Sequence, residues 1–169
     1  MSVMQKLMKA SKIKESAVLS ESKVYAASAL VDTGVPMINV ALSGDVDGGL
    51  SPGLTVLAGQ SKHFKTSFAL LMAAAYMRSK KDAVMLFYDS EFGSPQAYFD
   101  TFGIDTDRVL HVPVMNVEEL KFDVVAQLEA LDKKDDVIIV IDSIGNLASK
   151  KELEDTMNEK SVADMTRAK

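Results

Sequence analysis

No cysteine occurs among the 169 residues, which excludes disulfides and thiolate metal sites. Histidine is nearly as scarce. His63 and His111 are the only two, and they cannot build a zinc site without carboxylate help. Long apolar runs are also lacking. The longest, Phe68 to Met77, is too short to span a bilayer, and no apolar h-region follows the N-terminal lysines, so no secretory signal is expected. Nor is there an excess of positive charge. The net charge is −5, so no global basic field draws the chain to nucleic acid. Local basicity is still present, at Lys6, Lys9, Lys12 and Lys14 near one end and at Lys150, Lys151 and Lys160 near the other. Internal repeats and low-complexity segments are absent. What remains is 47% apolar and 25% charged, the balance of a globular domain with a real core. The missing cysteines fit a reducing, intracellular setting.

The pattern along the chain changes twice. Residues 1–30 read as a helical arm, with Met4, Leu7 and Met8 on one face and Val24, Tyr25 and Ala26 as a short strand. That apolar stripe is too narrow for a self-standing unit, so the arm is expected to dock on something else. Residues 31–53 read as loop-rich, because Gly44, Gly48, Gly49, Pro52 and Gly53 mark turns. From Leu54 onward strands and helices alternate. Strands are expected at Leu54–Ala58, Ala83–Tyr88, Arg108–Val112 and Val137–Ile141, and helices at Lys65–Arg78, Ser94–Phe102 and Val117–Leu131. Such alternation implies an α/β fold with a parallel sheet covered by helices on both faces.

Three motifs carry chemistry. The first is Gly59-Gln-Ser-Lys-His-Phe-Lys-Thr-Ser67, placed between an expected strand and an expected helix. That context makes it a phosphate-binding loop for a nucleoside triphosphate, with Gly59, Gln60, Ser61, Lys62, His63, Phe64, Lys65, Thr66 and Ser67 around the phosphates. Lys65 supplies a point charge to the β/γ-phosphates, and the Thr66 hydroxyl a ligand for Mg²⁺. Phe64 stands where the pattern has glycine. The second motif is Asp142, ending the β-branched run Val137-Ile-Ile-Val-Ile, where P-loop ATPases place an Mg²⁺-binding carboxylate. The third is Glu91, just beyond Phe87-Tyr-Asp-Ser, at the sheet edge where ligands gather. A carboxylate there can orient and deprotonate an attacking water. Asp89 competes for the role, but its shorter side chain and closer position suit the turn better.

Four segments together carry a family resemblance: Pro36-Met-Ile-Asn-Val-Ala-Leu-Ser-Gly44, Leu57-Ala-Gly-Gln-Ser-Lys-His-Phe-Lys65, Phe87-Tyr-Asp-Ser-Glu-Phe-Gly93 and Ile141-Asp-Ser-Ile-Gly-Asn-Leu-Ala-Ser-Lys-Lys151. In order, and including the irregular Phe64, they resemble the RecA-like recombinases of T-even-like bacteriophages. The resemblance implies a RecA-type P-loop ATPase core (31–169) behind a protomer-docking arm (1–30). It implies ATP and Mg²⁺ as cofactors, a homo-oligomeric helical filament on single-stranded DNA, double-stranded DNA as exchange partner, and the cytoplasm of an infected bacterial host. By motif match, Lys65 and Thr66 take the phosphate and metal roles, Asp142 the second metal role, and Glu91 that of catalytic base. Tyr98 matches the aromatic that stacks on adenine, with a packing tyrosine on a helix face as the alternative. Ser149 to Lys160 match the first DNA-binding loop, with Lys150, Lys151 and Lys160 for phosphates and Met157 as a wedge between bases. Arg167 matches a DNA-contacting arginine. Glu152, Glu154, Asp155 and Glu159 argue against a strong phosphate grip, and a plain solvated loop stays open as the alternative.

Family members continue roughly as long again. The strand expected after Lys169 inserts between the P-loop strand and the Asp142 strand, so the sheet is expected to be incomplete and the chain an N-terminal fragment. Two other readings stay open. One is a different RecA-fold ATPase such as a ring helicase, and the other a non-catalytic module that binds nucleotide or caps a filament.

Overall fold

The computed structural model describes residues 2–22 and 30–157. The chain forms two compact units, residues 1–54 and 55–169.

In the first unit, helix α1 (Val3–Ala10) starts at a reciprocal cap. The Ser2 hydroxyl accepts the Gln5 N–H at 3.2 Å, and the Gln5 side chain accepts the Ser2 N–H at 2.9 Å. Val3, Met4, Leu7 and Met8 are all exposed, and no residue of α1 is buried. A short 3₁₀ turn follows at Leu19–Glu21. The expected strand at 24–26 lies outside the described residues.

The stretch 31–53 is not simply loop. Helix α2 (Pro36–Ser43) runs through it, begun by Pro36 and ended by Gly44 at φ 76°. Proline at the first turn and a left-handed glycine after the last are helix punctuation, and the surrounding glycines masked it. Asn39 is the buried hub of this unit. Its Oδ1 accepts from the Thr33 N–H (3.0 Å) and hydroxyl (2.7 Å), and its Nδ2 donates to Asp32 (2.7 Å) and to the Val46 carbonyl (2.9 Å). Gly49 closes the unit where Val31 and Leu50 pair, at φ 134°, and a Cβ there would stand 2.1 Å from the Val31 carbonyl oxygen. Asn39→Ala strips partners from several buried groups at once, so a loss of about 2–4 kcal/mol is expected in urea unfolding of the whole protein.

The second unit is built on a parallel sheet of β1 (Val84–Asp89), β2 (Val109–Pro113) and β3 (Val137–Asp142), in the order β2-β1-β3. β1 is central and buried on both faces, as its unbroken apolar run requires. Its residues alternate. Met85 and Phe87 pack with Leu70, Ala73, Ala74 and Met77 of α3 (Lys65–Ser79) and with Phe99 of α4 (Gln96–Thr101). Leu86 and Tyr88 pack on the other face with Leu120 of α5 (Val117–Ala130). The Phe87 and Phe99 rings meet edge to face at 5.0 Å. Helix α6 (Lys150–Met157) follows β3. These elements agree with the expected strand–helix alternation, with β1, β2 and β3 at the expected places.

One expected strand is not formed. Leu54–Ala58 has no ladder partner, and Leu54 (89% exposed) and Val56 (73%) face solvent. A strand exists only by pairing its backbone groups. Among the described residues nothing pairs with the outer edge of β3, so the apolar run has no neighbour to complete it.

Candidate nucleotide site

The loop from Gly59 ends in a backbone conformation that explains the glycine pattern. Phe64 lies at φ 59°, ψ 20°, in the left-handed region, as does Lys62 at φ 65°. A β-carbon there costs about 1–2 kcal/mol. The Phe64 ring escapes further conflict by pointing outward, 72% exposed. Phe64→Gly relieves the strain but loses some unfolded-state restriction, so a net gain of about 0.5–1 kcal/mol is expected in chemical denaturation. Phe64 is also the cap residue of α3 and offers no side-chain hydrogen bond. By contrast Asn116 caps α5, accepting the Glu119 N–H at 2.9 Å. The first N–H groups of α3 are thus left for another acceptor, at the positive end of the helix dipole. Lys65 Nζ donates to the Gln60 carbonyl at 2.9 Å, folding the ammonium back over the loop.

Opposite the loop lie the C-terminal ends of β1 and β3, where Asp89 and Asp142 are register partners. The Thr66 hydroxyl donates to Asp142 Oδ2 at 2.7 Å, joining residues 76 positions apart. Burial is the main force pushing the Asp142 carboxyl above its ordinary pKa. The Thr66 hydroxyl opposes it, Glu91 and Asp89 add to it, and Lys65 again opposes. Ser90 ties the two strand ends together: its hydroxyl donates to the Ser143 carbonyl (2.7 Å) and accepts the Ser143 N–H (3.0 Å). The Asp142–Ser143 peptide is cis.

The two competing carboxylates are separated by their surroundings. Asp89 is 3% exposed, and its Oδ1 accepts the N–H groups of Glu91 (3.0 Å) and Phe92 (2.7 Å). Its Oδ2 lies 3.1 Å from His111 Nε2. Asp89 therefore serves the turn. Glu91 stands exposed at that turn and accepts the Ser143 hydroxyl at 2.9 Å.

Tyr98, on α4, hydrogen-bonds through its hydroxyl to Ser67 on the first turn of α3. Its ring meets Phe102 edge to face at 5.4 Å, so it braces α4 against the loop helix. The segment read as a DNA-binding or solvated loop is helical over its described part. Ser149 and Glu152 form a reciprocal cap, with the Ser149 N–H donating to Glu152 at 2.8 Å and the Glu152 N–H to the Ser149 hydroxyl at 3.2 Å. The spacing Ser149-x-x-Glu152 signals this in the sequence, but the run of charges disguised it. Lys150 and Lys151 are exposed at the start of α6, and the Lys150 N–H donates to Glu118 at 3.0 Å. Met157 ends that helix, while Lys160 and Arg167 lie outside the described residues.

The donor set fits Mg²⁺. Thr66 and Asp142 offer hard oxygens in contact, and the raised Asp142 carboxyl, crowded by Glu91 and Asp89, would be relieved by a dication. Among the described residues no cluster of three or more His, Asp or Glu side chains is arranged to hold a metal.

A glycine-led loop opening an uncapped helix, set against acidic strand ends on a covered parallel sheet, is the architecture of a P-loop domain. Within that class, residues 3–169 match the RecA N-terminal domain, and the chain belongs to that family. It is 52% identical over 164 residues to the "Recombination and repair protein" of Enterobacteria phage T4, covering 97% of this chain and 42% of that protein. It is 32% identical over 134 residues to Protein RecA of Mycoplasma genitalium (78% of this chain, 37% of the relative). It is 31% identical over 138 residues to Protein RecA of Synechocystis sp. (81% and 36%). The resemblance to phage recombinases of the UvsX type, read from four motifs, is thereby borne out. The chain spans less than half the length of these curated relatives.

Proposed function

We propose that this chain supplies the nucleotide-gripping part of an ATP-dependent recombinase. The protein coats single-stranded DNA as a helical filament and exchanges strands with a duplex, in homologous recombination, repair and recombination-dependent replication. The observation that carries the reading is the 2.7 Å bond between Thr66 and Asp142, which joins the phosphate loop to the acidic strand end. Family membership and the name of the phage relative support the wider role.

Bound Mg²⁺–ATP would supply the reacting phosphoryl group with part of its charge neutralised. Thr66 and Asp142 would hold the dication. The Lys65 ammonium and the first N–H groups of α3 would supply positive charge and donors to the phosphates. Glu91, steadied by Ser143 at Oε1, orients the attacking water and takes its proton at the other carboxylate oxygen. Tyr98, which bonds to Ser67 on the loop helix, would stack on adenine, as its motif match implies. DNA is taken by Lys150, Lys151, Met157, Lys160 and Arg167.

Protomers join through the arm of residues 1–30, whose exposed Val3, Met4, Leu7 and Met8 suit a second copy of the chain. No helix among the described residues is long and apolar enough to cross a membrane. The setting proposed is the cytoplasm of an infected bacterium. Electron microscopy of the whole protein with ATP and single-stranded DNA tests the reading. Open helical filaments are expected, and closed hexameric rings would instead indicate a ring helicase.

A further inference from the structure

Glu91 sits on a short turn whose Glu91 and Phe92 N–H groups both donate to Asp89 Oδ1. We propose that His111 and Asp89 are a positioning pair that sets Glu91 for the water-activating step, an inference that rests on reading Glu91 as the base. The pair arises from strand register. Phe87 of β1 lies opposite His111 of β2. Asp89 is two residues farther along β1 on the same face, so His111 reaches it diagonally. The imidazole stacks on the Phe87 ring (5.9 Å, 26°) and brings Nε2 to 3.1 Å from Asp89 Oδ2.

A carboxylate only accepts hydrogen bonds, so His111 must present an N–H at Nε2. That bond fixes the rotation of the buried carboxylate. With Oδ2 held, Oδ1 faces the N–H groups of Glu91 and Phe92. The turn needs this hold. Phe92 is kept at φ 54°, a left-handed conformation that bulky residues avoid. Without the His111 donor, Asp89 has an unpaired buried oxygen and turns toward another partner, releasing one of the two N–H groups. Glu91 then loses its placement while the phosphate loop keeps its own. His111 is half exposed on the outer strand, so its replacement empties no core.

The test is steady-state ATP hydrolysis by the whole protein on saturating single-stranded DNA, with four variants. His111→Phe keeps a ring on Phe87 but removes the donor, and His111→Leu removes the donor without the ring. His111→Gln restores an N–H, and Glu91→Gln removes the base. The expected result is a fall in kcat of about ten- to a hundredfold for His111→Phe and His111→Leu, with the KM for ATP changed by less than about twofold. His111→Gln should recover most of the rate. Combining His111→Phe with Glu91→Gln should cost no more than Glu91→Gln alone, because both act on one step. A wild-type kcat in His111→Phe and His111→Leu, a loss in KM instead of kcat, no rescue by glutamine, or additive losses would each overturn the proposal. If Glu91→Gln alone leaves kcat intact, the base reading fails and this inference with it. If Glu91→Gln is slow while the donorless variants are fast, only the positioning pair is refuted.

Discussion

Lys65→Ala is expected to cost the whole protein about 10²–10³ in ATP turnover and about ten- to a hundredfold in nucleotide affinity. The ammonium is one of few charges able to meet the β/γ-phosphates, and charge-assisted bonds of this kind contribute about 1.5–3 kcal/mol each. Among the described residues the same ammonium donates to the Gln60 carbonyl, on an exposed loop. Its removal should therefore change folding stability by no more than about 0.5 kcal/mol. Binding of a fluorescent ATP analogue, with urea unfolding alongside, separates the two effects. Wild-type affinity and turnover in the variant would remove the phosphate loop from the account.

Glu91→Gln is expected to act on a different step. General-base catalysis is worth about 10²–10⁴ in rate, so hydrolysis should fall by that factor while ATP still binds. If ATP favours the DNA-bound filament and hydrolysis releases it, the variant should remain on single-stranded DNA. Single-turnover hydrolysis and the DNA dissociation rate measure both arms. Unchanged turnover would pass the base role to another residue. Asp89 is a poor substitute, since both its oxygens are engaged in holding the turn and His111.

The sequence was most legible where a single physical rule governed a segment. β1 and β3 are apolar runs ended by Asp89 and Asp142, and α3 and α5 precede them at helical length, so their places can be read directly. Leu54–Ala58 has the same apolar character, yet strand formation needs a partner backbone that lies outside the segment itself. Pro36, Gly44, Ser149 and Glu152 punctuate α2 and α6, yet the neighbouring glycines and charges read more strongly as loop. Asn39 carries no pattern in the sequence that marks it as a buried hub.

Within the site, the loop residues, Thr66, Asp142 and Glu91 were all visible as motifs. The division of labour between Asp89 and Glu91 was arguable from side-chain length, and burial of Asp89 supplies its physical basis. His111 was not visible at all. Its tie to Asp89 depends on the register of β2 against β1, which no local pattern encodes. Phe64 looked like a fault in the loop. Its left-handed backbone shows that the glycine conformation is kept and only the glycine is replaced.

The most direct test of the central claim is ATP hydrolysis by the whole protein with Mg²⁺, measured with and without single-stranded DNA. The account predicts steep stimulation by DNA that Glu91→Gln abolishes. A rate that is indifferent to DNA, or hydrolysis that survives the loss of Glu91, would contradict it.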